Sequence, residues 1–198
     1  MEAAETENMI ALAQAAHTAR PDTGFEPFGG GVAIFSGVGS PMTHAVGLGM
    51  QRAMPEAELE RMEGFFRDRN SACLIDLCPL ADASVLAFIQ NRPYRVIEFN
   101  NVLARRIAPD EEIVADARVR TVEPGEMEEF SRLILRGFSE SMPFSEEMVK
   151  TMSATLAPSR SWLAGDTTPE AGAAMGIRSA VALFYGDATL TSGRRKGW

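Results

Sequence analysis

Residues 180–190, AVALFYGDATL, run without a break into residues 191–198, TSGRRKGW. The first stretch is rich in aromatic and aliphatic residues at strand length, and the second is a basic turn containing Gly193 and Gly197. A strand that feeds such a turn can aim successive backbone N–H groups at a pyrophosphate, above all where a helix N-terminus follows. Glycine lets the backbone approach a phosphate closely, and Arg194, Arg195 and Lys196 add charge. The alternative for the same residues is a solvated basic tail.

The segments upstream set this strand in a pattern. Residues 119–122 form a short strand, Pro124 suits a first helical turn, and Met127, Phe130, Ile134 and Phe138 mark one face of a helix. Ser145 is placed to cap a second helix with Met148, Met152 and Leu156 inward. Strands at 161–164, 173–177 and 180–190 follow, joined by turn residues at 165–169 and at Arg178-Ser179. The order is strand, helix, helix, strand, strand, strand and then the basic loop. It predicts an α/β protein with a mixed sheet.

The charged stretch around Pro109 reads as a linker, with boundaries at 108–117, dividing a unit at 1–107 from a unit at 118–198. In the first unit Met9, Leu12, Ala13 and Ala16 recur at helical spacing. Strands are expected at 31–35 and 44–50, then a helix opening at Pro55 with Leu59, Met62 and Phe66 buried. A strand at 73–77 should be covered on both faces, as its apolar run implies. Asp82 caps a helix carrying Val85, Leu86 and Ile89, and 94–103 reads as a long strand with Arg95, Ile97, Phe99 and Leu103 on one side.

Composition excludes several classes. With 27 acidic against 19 basic residues the net charge is −8, which disfavours nucleic acid and anionic membranes as partners. The opening 20 residues lack a basic start and a long apolar run, so no signal peptide is expected, and no stretch approaches a membrane span. The expected location is the cytoplasm. Cys73 and Cys78 have no companion pair at zinc-binding spacing and read as core thiols; His17 and His44 likewise lack metal partners, so no metal is expected.

Residues 117–198 resemble the amino-terminal half of a GNAT-type N-acetyltransferase. The resemblance rests on the element order, on Glu123-Pro124-Gly125 entering the first helix, on the Ala188-Thr189-Leu190 strand ending, and on the loop. The family's signature is [Gln/Arg]-x-x-Gly-x-[Gly/Ala]. Arg194-Arg195-Lys196-Gly197-Trp198 matches its first five positions, and the 198 residues end before the sixth, so a cofactor loop left incomplete is expected. The first unit resembles a degenerate copy of the same domain, since Gln51-Arg52-Ala53-Met54-Pro55 offers no such loop after 44–50.

The resemblance implies acetyl transfer from acetyl-CoA to an amine. The backbone of Ala188, Thr189 and Leu190 would hold the pantetheine arm and polarise the thioester carbonyl. The loop of Arg194, Arg195, Lys196 and Gly197 would hold the pyrophosphate. Asp187 and Tyr185 lie in the strand that would face the amine, but no acid or base is assigned. A non-catalytic GNAT-like binding or assembly module is the alternative. An apolar strand at 180–190 without its later neighbour also predicts self-association, through the edge of a second copy or by joining a strand of the first unit.

Overall fold

The computed structural model describes residues 1–112, 114–138 and 143–197. The described residues form two separate four-stranded sheets and five helices. Helix α1 (Glu2–Ala19) is followed by β1 (Gly24–Phe28), β2 (Gly31–Phe35) and β3 (Ala45–Val46), then by α2 (Glu56–Arg67), β4 (Ile75–Asp76) and α3 (Ala83–Gln90). The second group is β5 (Val119–Thr121), α4 (Met127–Phe138), α5 (Glu146–Leu156), β6 (Arg160–Ala164), β7 (Ala171–Arg178) and β8 (Val181–Thr189).

The first sheet runs β1-β2-β3-β4. Its first three strands are antiparallel, and β3 pairs with β4 in parallel across the α2 crossover. All five residues of β2 are buried, because the sheet is covered on both faces. Val32, Ile34 and Val46 pack against Met9, Leu12 and Ala13 of α1. Ala33, Phe35 and Ala45 point the other way, against Leu59, Met62, Phe65 and Phe66 of α2. This is the continuous apolar signature of a doubly covered strand. β1 contains Pro27, which has no N–H to donate, and the strand accommodates it at the sheet edge.

The second sheet runs β5-β6-β7-β8, all antiparallel. Helix α4 begins after a 3₁₀ turn at Pro124–Glu126, where the Glu126 carboxylate accepts the Glu123 N–H at 3.0 Å. Ser145 caps α5 by accepting the Met148 N–H at 3.1 Å. Phe130, Leu133, Ile134 and Leu156 of these helices bury Leu163 and Ala174. Helix α1 packs on α5 and β7 as well as on the first sheet. Its buried residues, Ala4, Thr6, Asn8, Met9, Leu12, Ala13 and Ala16, therefore form one broad face, wider than a single apolar stripe and partly polar.

Three expectations are corrected. The strand expected at 44–50 shortens to Ala45–Val46, because Gly47 and Gly49 take positive φ angles of 75° and 70° and turn the chain. The strand expected at 73–77 shortens to Ile75–Asp76, and as the sheet edge it leaves Leu74 exposed and Ile75 half-buried. The long strand expected at 94–103 is not formed. Those residues pair with no strand among the described residues, and Ile97, Phe99 and Leu103 are 66%, 89% and 91% exposed. The chain enters that segment pinned to α2, where Arg92 pairs with Glu63 at 2.8 Å and the Tyr94 hydroxyl donates to Glu63 at 2.9 Å. Ile113, inside the expected linker, and Trp198, at the fifth motif position, lie outside the described residues.

Two measurements test this packing. Leu12→Ala opens a void beneath the first sheet and should lower the unfolding free energy by about 2–5 kcal/mol in denaturant titration. The β7–β8 hairpin turns through Ser179 and Ala180, both in the left-handed region at φ 47° and 60°. Ala180→Gly should raise the melting midpoint, with a gain of up to about 1 kcal/mol, because glycine adopts that backbone without its Cβ penalty.

Candidate site along the last strand and its tail

β8 is an edge strand with a break in its ladder. Gly172 pairs with Ala188 but Ala174 pairs with Tyr185, so Gly186 and Asp187 together stand opposite Ala173. Gly186 has φ 62°, as a bulge with a left-handed residue requires. The break re-aims the side chains on either side of it. Tyr185 turns inward between the α1 and α4 clusters, and its hydroxyl lies 2.5 Å from Ser159 Oγ. Asp187 lies on the exposed side of the strand, where its carboxyl accepts the Ala174 N–H and is only partly desolvated. Desolvation raises its pKa, and that hydrogen bond partly offsets the rise.

Beyond the bulge the strand carries the three residues expected to face a thioester. Ala188 packs on the end of α4, where Gly137 approaches so closely that a Cβ there would come within 2.6 Å of the Ala188 methyl. Thr189 pairs with Ala171, and Leu190 joins the α4 core cluster while its N–H donates to Glu170 O at 2.8 Å.

The tail does not extend from the strand as an anion cradle. A 3₁₀ turn at Thr191–Gly193 follows at once, and its bonds take the Gly193 N–H to Leu190 O at 2.8 Å and the Arg194 N–H to Thr191 O at 3.3 Å. Lys196 Nζ then meets the Glu170 carboxylate at 2.6 Å, and Arg118 donates to Lys196 O at 3.4 Å. Glu170 has its pKa lowered by Lys196 first and by the Ser192 hydroxyl second. Arg195 and Gly197 take φ angles of 65° and 78°, which curl the tail back over the β6–β7 connection toward β5. Of the seven expected residues, Ala188, Thr189 and Leu190 line the strand end. Arg194, Arg195, Lys196 and Gly197 form a folded-back basic hook closed by an acidic residue.

Tested against an acetyl-CoA-like ligand, the residues fit unevenly. The strand edge and its bulge suit an extended arm. The hook does not suit a pyrophosphate, since the N–H groups of Gly193 and Arg194 at its start are turned inward and its lysine already holds a carboxylate. The turn after β3, where the sequence offered no such loop, is filled by the protein itself. The Gly49 N–H donates to Gly29 O at 2.8 Å, the Met54 N–H to Ser84 Oγ at 3.0 Å, and Glu58 accepts the Gly29 N–H at 2.9 Å while pairing with Arg52. A side chain at Gly47 would strike Thr6 Oγ1 at 2.2 Å, so α1 lies directly against that loop.

Elsewhere, a cavity of about 210 Å³ lies between residues 36–42 and α5, with Arg20, Met42, Met148 and Thr151 in its lining. Arg20 is held there by Asp22, by Thr151 at 2.8 Å and by Glu147 at 3.1 Å. Cys73 and Cys78 are free and partly buried, and burial pushes the Cys73 thiol up. Among the described residues no group of three His, Cys, Asp or Glu is placed to hold a metal ion. No helix among them is long and apolar enough to cross a membrane. Sequence reasoning missed Glu170, Ser159 and the bulge. Gly186 inside an otherwise apolar strand was the available signal for the last.

Asp187 yields a pH prediction. Its folded pKa lies above the ordinary 3.8, so over the window just above pH 3.8 the folded state binds more protons and stability falls as pH rises. Asp187→Asn should remove that fall and keep the bond from Ala174. Its melting midpoint, compared with the parent chain, should rise between pH 4 and pH 7; an unchanged difference would mean that folding does not shift this carboxyl.

Comparison with known proteins comes down to architecture. No protein-family model matches the chain, and no curated protein matches it. Among solved structures it is similar to a GCN5-related N-acetyltransferase from Kribbella flavida, at a TM-score of 0.55 and 18% identity, over 96% of this chain and 75% of that one. At that identity the likeness speaks for the backbone alone: this chain has a mixed α/β fold of the GCN5-related N-acetyltransferase kind.

Proposed function

We propose that this chain is a GNAT-type acyltransferase unit, built for acetyl transfer from acetyl-CoA to an amine, whose cofactor grip is incomplete in the described residues. The observation that carries the reading is the bulged edge of β8 running into a basic hook. The acyl arm would lie along Ala188, Thr189 and Leu190, where strand N–H groups can hold a thioester carbonyl. Acetyl-CoA, when bound, supplies the activated acyl group. Tyr185, tied to Ser159, and Asp187, with its raised pKa, are the nearest groups able to move a proton. The phosphate end of the cofactor would have to compete with Glu170 for Lys196.

The Lys196–Glu170 closure and the filled loop of the first unit favour a second reading, a GNAT-like module that binds or assembles without catalysis. In that reading both cofactor grips are structural remnants, and the division at 108–117 separates two such units.

Calorimetry with acetyl-CoA distinguishes these readings. The parent chain should show no saturable binding at sub-millimolar cofactor. Glu170→Gln, which removes the carboxylate holding Lys196, should bring measurable affinity, with at least a several-fold gain over the parent. Micromolar binding by the parent would overturn the incomplete grip, and no gain in the variant would favour the non-catalytic module.

A further inference from the structure

The cavity of about 210 Å³ between the β2–β3 connection, residues 36–42, and one face of α5 is lined by neither Tyr185 nor any of residues 187–190. It is a second site, apart from the bulged strand. Its walls are the thioether side chains of Met42, Met148 and Met152, which adapt to irregular apolar shapes. A cavity of about 150 Å³ with apolar walls takes up benzene, so the volume here suits a ring or a short alkyl chain that carries one polar group.

The buried hydroxyls decide which polar group. Thr151 and Thr155 are 5% and 1% exposed, and each spends its hydroxyl proton one turn back along α5, on Glu147 O at 2.9 Å and on Thr151 O at 2.7 Å. Ser36 lines the opposite wall at 6% exposure, and its hydroxyl has no hydrogen-bond partner among the described residues. The side-chain atoms sealed off there without a partner are Asn8 Oδ1 and Ser161 Oγ, so the Ser36 hydroxyl keeps some exposure, and the cavity supplies it. What remains on these walls is chiefly oxygen lone pairs. A ligand that satisfies them brings hydrogen-bond donors.

Charge points the same way. Arg20 turns Nε and Nη2 to Asp22 and Nη1 to Thr151, and Nη2 also meets Glu147 Oε1 at 3.1 Å. Asp22 takes the guanidinium with both carboxylate oxygens and offsets its charge. Glu147, 70% exposed and in the cavity lining, is then the surplus charge at the mouth. Glu146 does not change this sum, because it pairs with Arg132 and lies beside Lys150 on the far side of α5. An entering anion would face two carboxylates and a guanidinium already engaged.

We propose that this cavity binds a small organic cation, a primary ammonium on an apolar body, with its N–H groups turned to Glu147 and Ser36 and its body between the three methionines. The inference does not rest on acetyl transfer. Because the walls come from the β2–β3 connection and from α5, the bound cation fastens the first sheet's loop to a helix of the second group.

Titration of the full chain with phenethylamine and with pentylamine at neutral pH, followed by assigned methionine methyl signals in NMR, tests the proposal. Both amines should bind saturably, shift the methyls of Met42, Met148 and Met152, and raise the melting midpoint. Phenylacetate and ethylbenzene, an anionic and an uncharged counterpart, should leave those signals in place. Glu147→Gln should weaken the amines by about tenfold or more and Ser36→Ala by several-fold, while Glu146→Gln should leave their affinity unchanged. Both glutamates are exposed, so neither replacement endangers the fold. Absence of saturable binding by either amine overturns the proposal. Equally tight phenylacetate overturns it by giving the site to Arg20, and equally tight ethylbenzene by leaving only an apolar void. An equal loss in the two glutamate variants also overturns it, since the attraction would then belong to the surface as a whole.

Discussion

The structure depends on one helix having two sheets to satisfy. Helix α1 buries Met9, Leu12 and Ala13 against the first sheet, while Asn8 meets β7 of the second at Gly176, where any Cβ would lie 2.2 Å from Asn8 Oδ1. Such a helix needs a broader buried face than a single stripe, and its small residues Ala4, Thr6, Ala13 and Ala16 let backbone approach closely across it. Glycines answer it on the facing elements, Gly47 under Thr6 and Gly176 under Asn8. The cost is visible too: Asn8 Oδ1 is buried with no hydrogen-bond partner among the described residues, and such a group costs about 1–3 kcal/mol.

With α1 wedged in place, the second sheet can present its far edge. The bulge at Gly186 separates two duties along β8. Before it, Tyr185 is drawn into the core and joins the clusters around α1 and α4; after it, Ala188 and Leu190 dock on α4. Past Leu190, charge governs the path of the chain. Glu170 collects Lys196 and the Ser192 hydroxyl and accepts Leu190 N–H at its carbonyl, so one residue of the β6–β7 connection holds the strand end and the hook together. A carboxylate in that position does to the basic hook what a phosphate would do.

Local chemistry was legible in the sequence wherever one residue decides the geometry. Ser145 and Asp82 cap their helices as their side chains dictate, Pro55 precedes α2, and Phe130 and Ile134 face inward from α4. The mixed fold followed from the order of these elements. Partnership was not legible. The alternation at 94–103 has strand period but no neighbour, and period alone cannot supply one. Pro27 hid β1, because proline marks a loop unless the strand is known to lie at an edge. At the site, the strand end was readable from Ala188 to Leu190, whereas the closure by Glu170 was not: it joins residues 26 apart through a side chain that reads as an ordinary surface acid.

The contacts of α1 also fix when the molecule can come together. Ser179 Oγ donates to Glu7 across 172 residues of chain, and Arg20 reaches Thr151 across 131. Contacts of such separation form late, since the loop they close must first lose its freedom. During synthesis α1 therefore emerges before β7 and β8 and waits for them before its second side is covered. The first sheet can shield Leu12 early, but Asn8 and the surface around it stay wet until β7 has been made. A polar residue at that place suits the helix while it is still in water, and the Oδ1 that ends without a partner keeps its hydration until β7 closes over it.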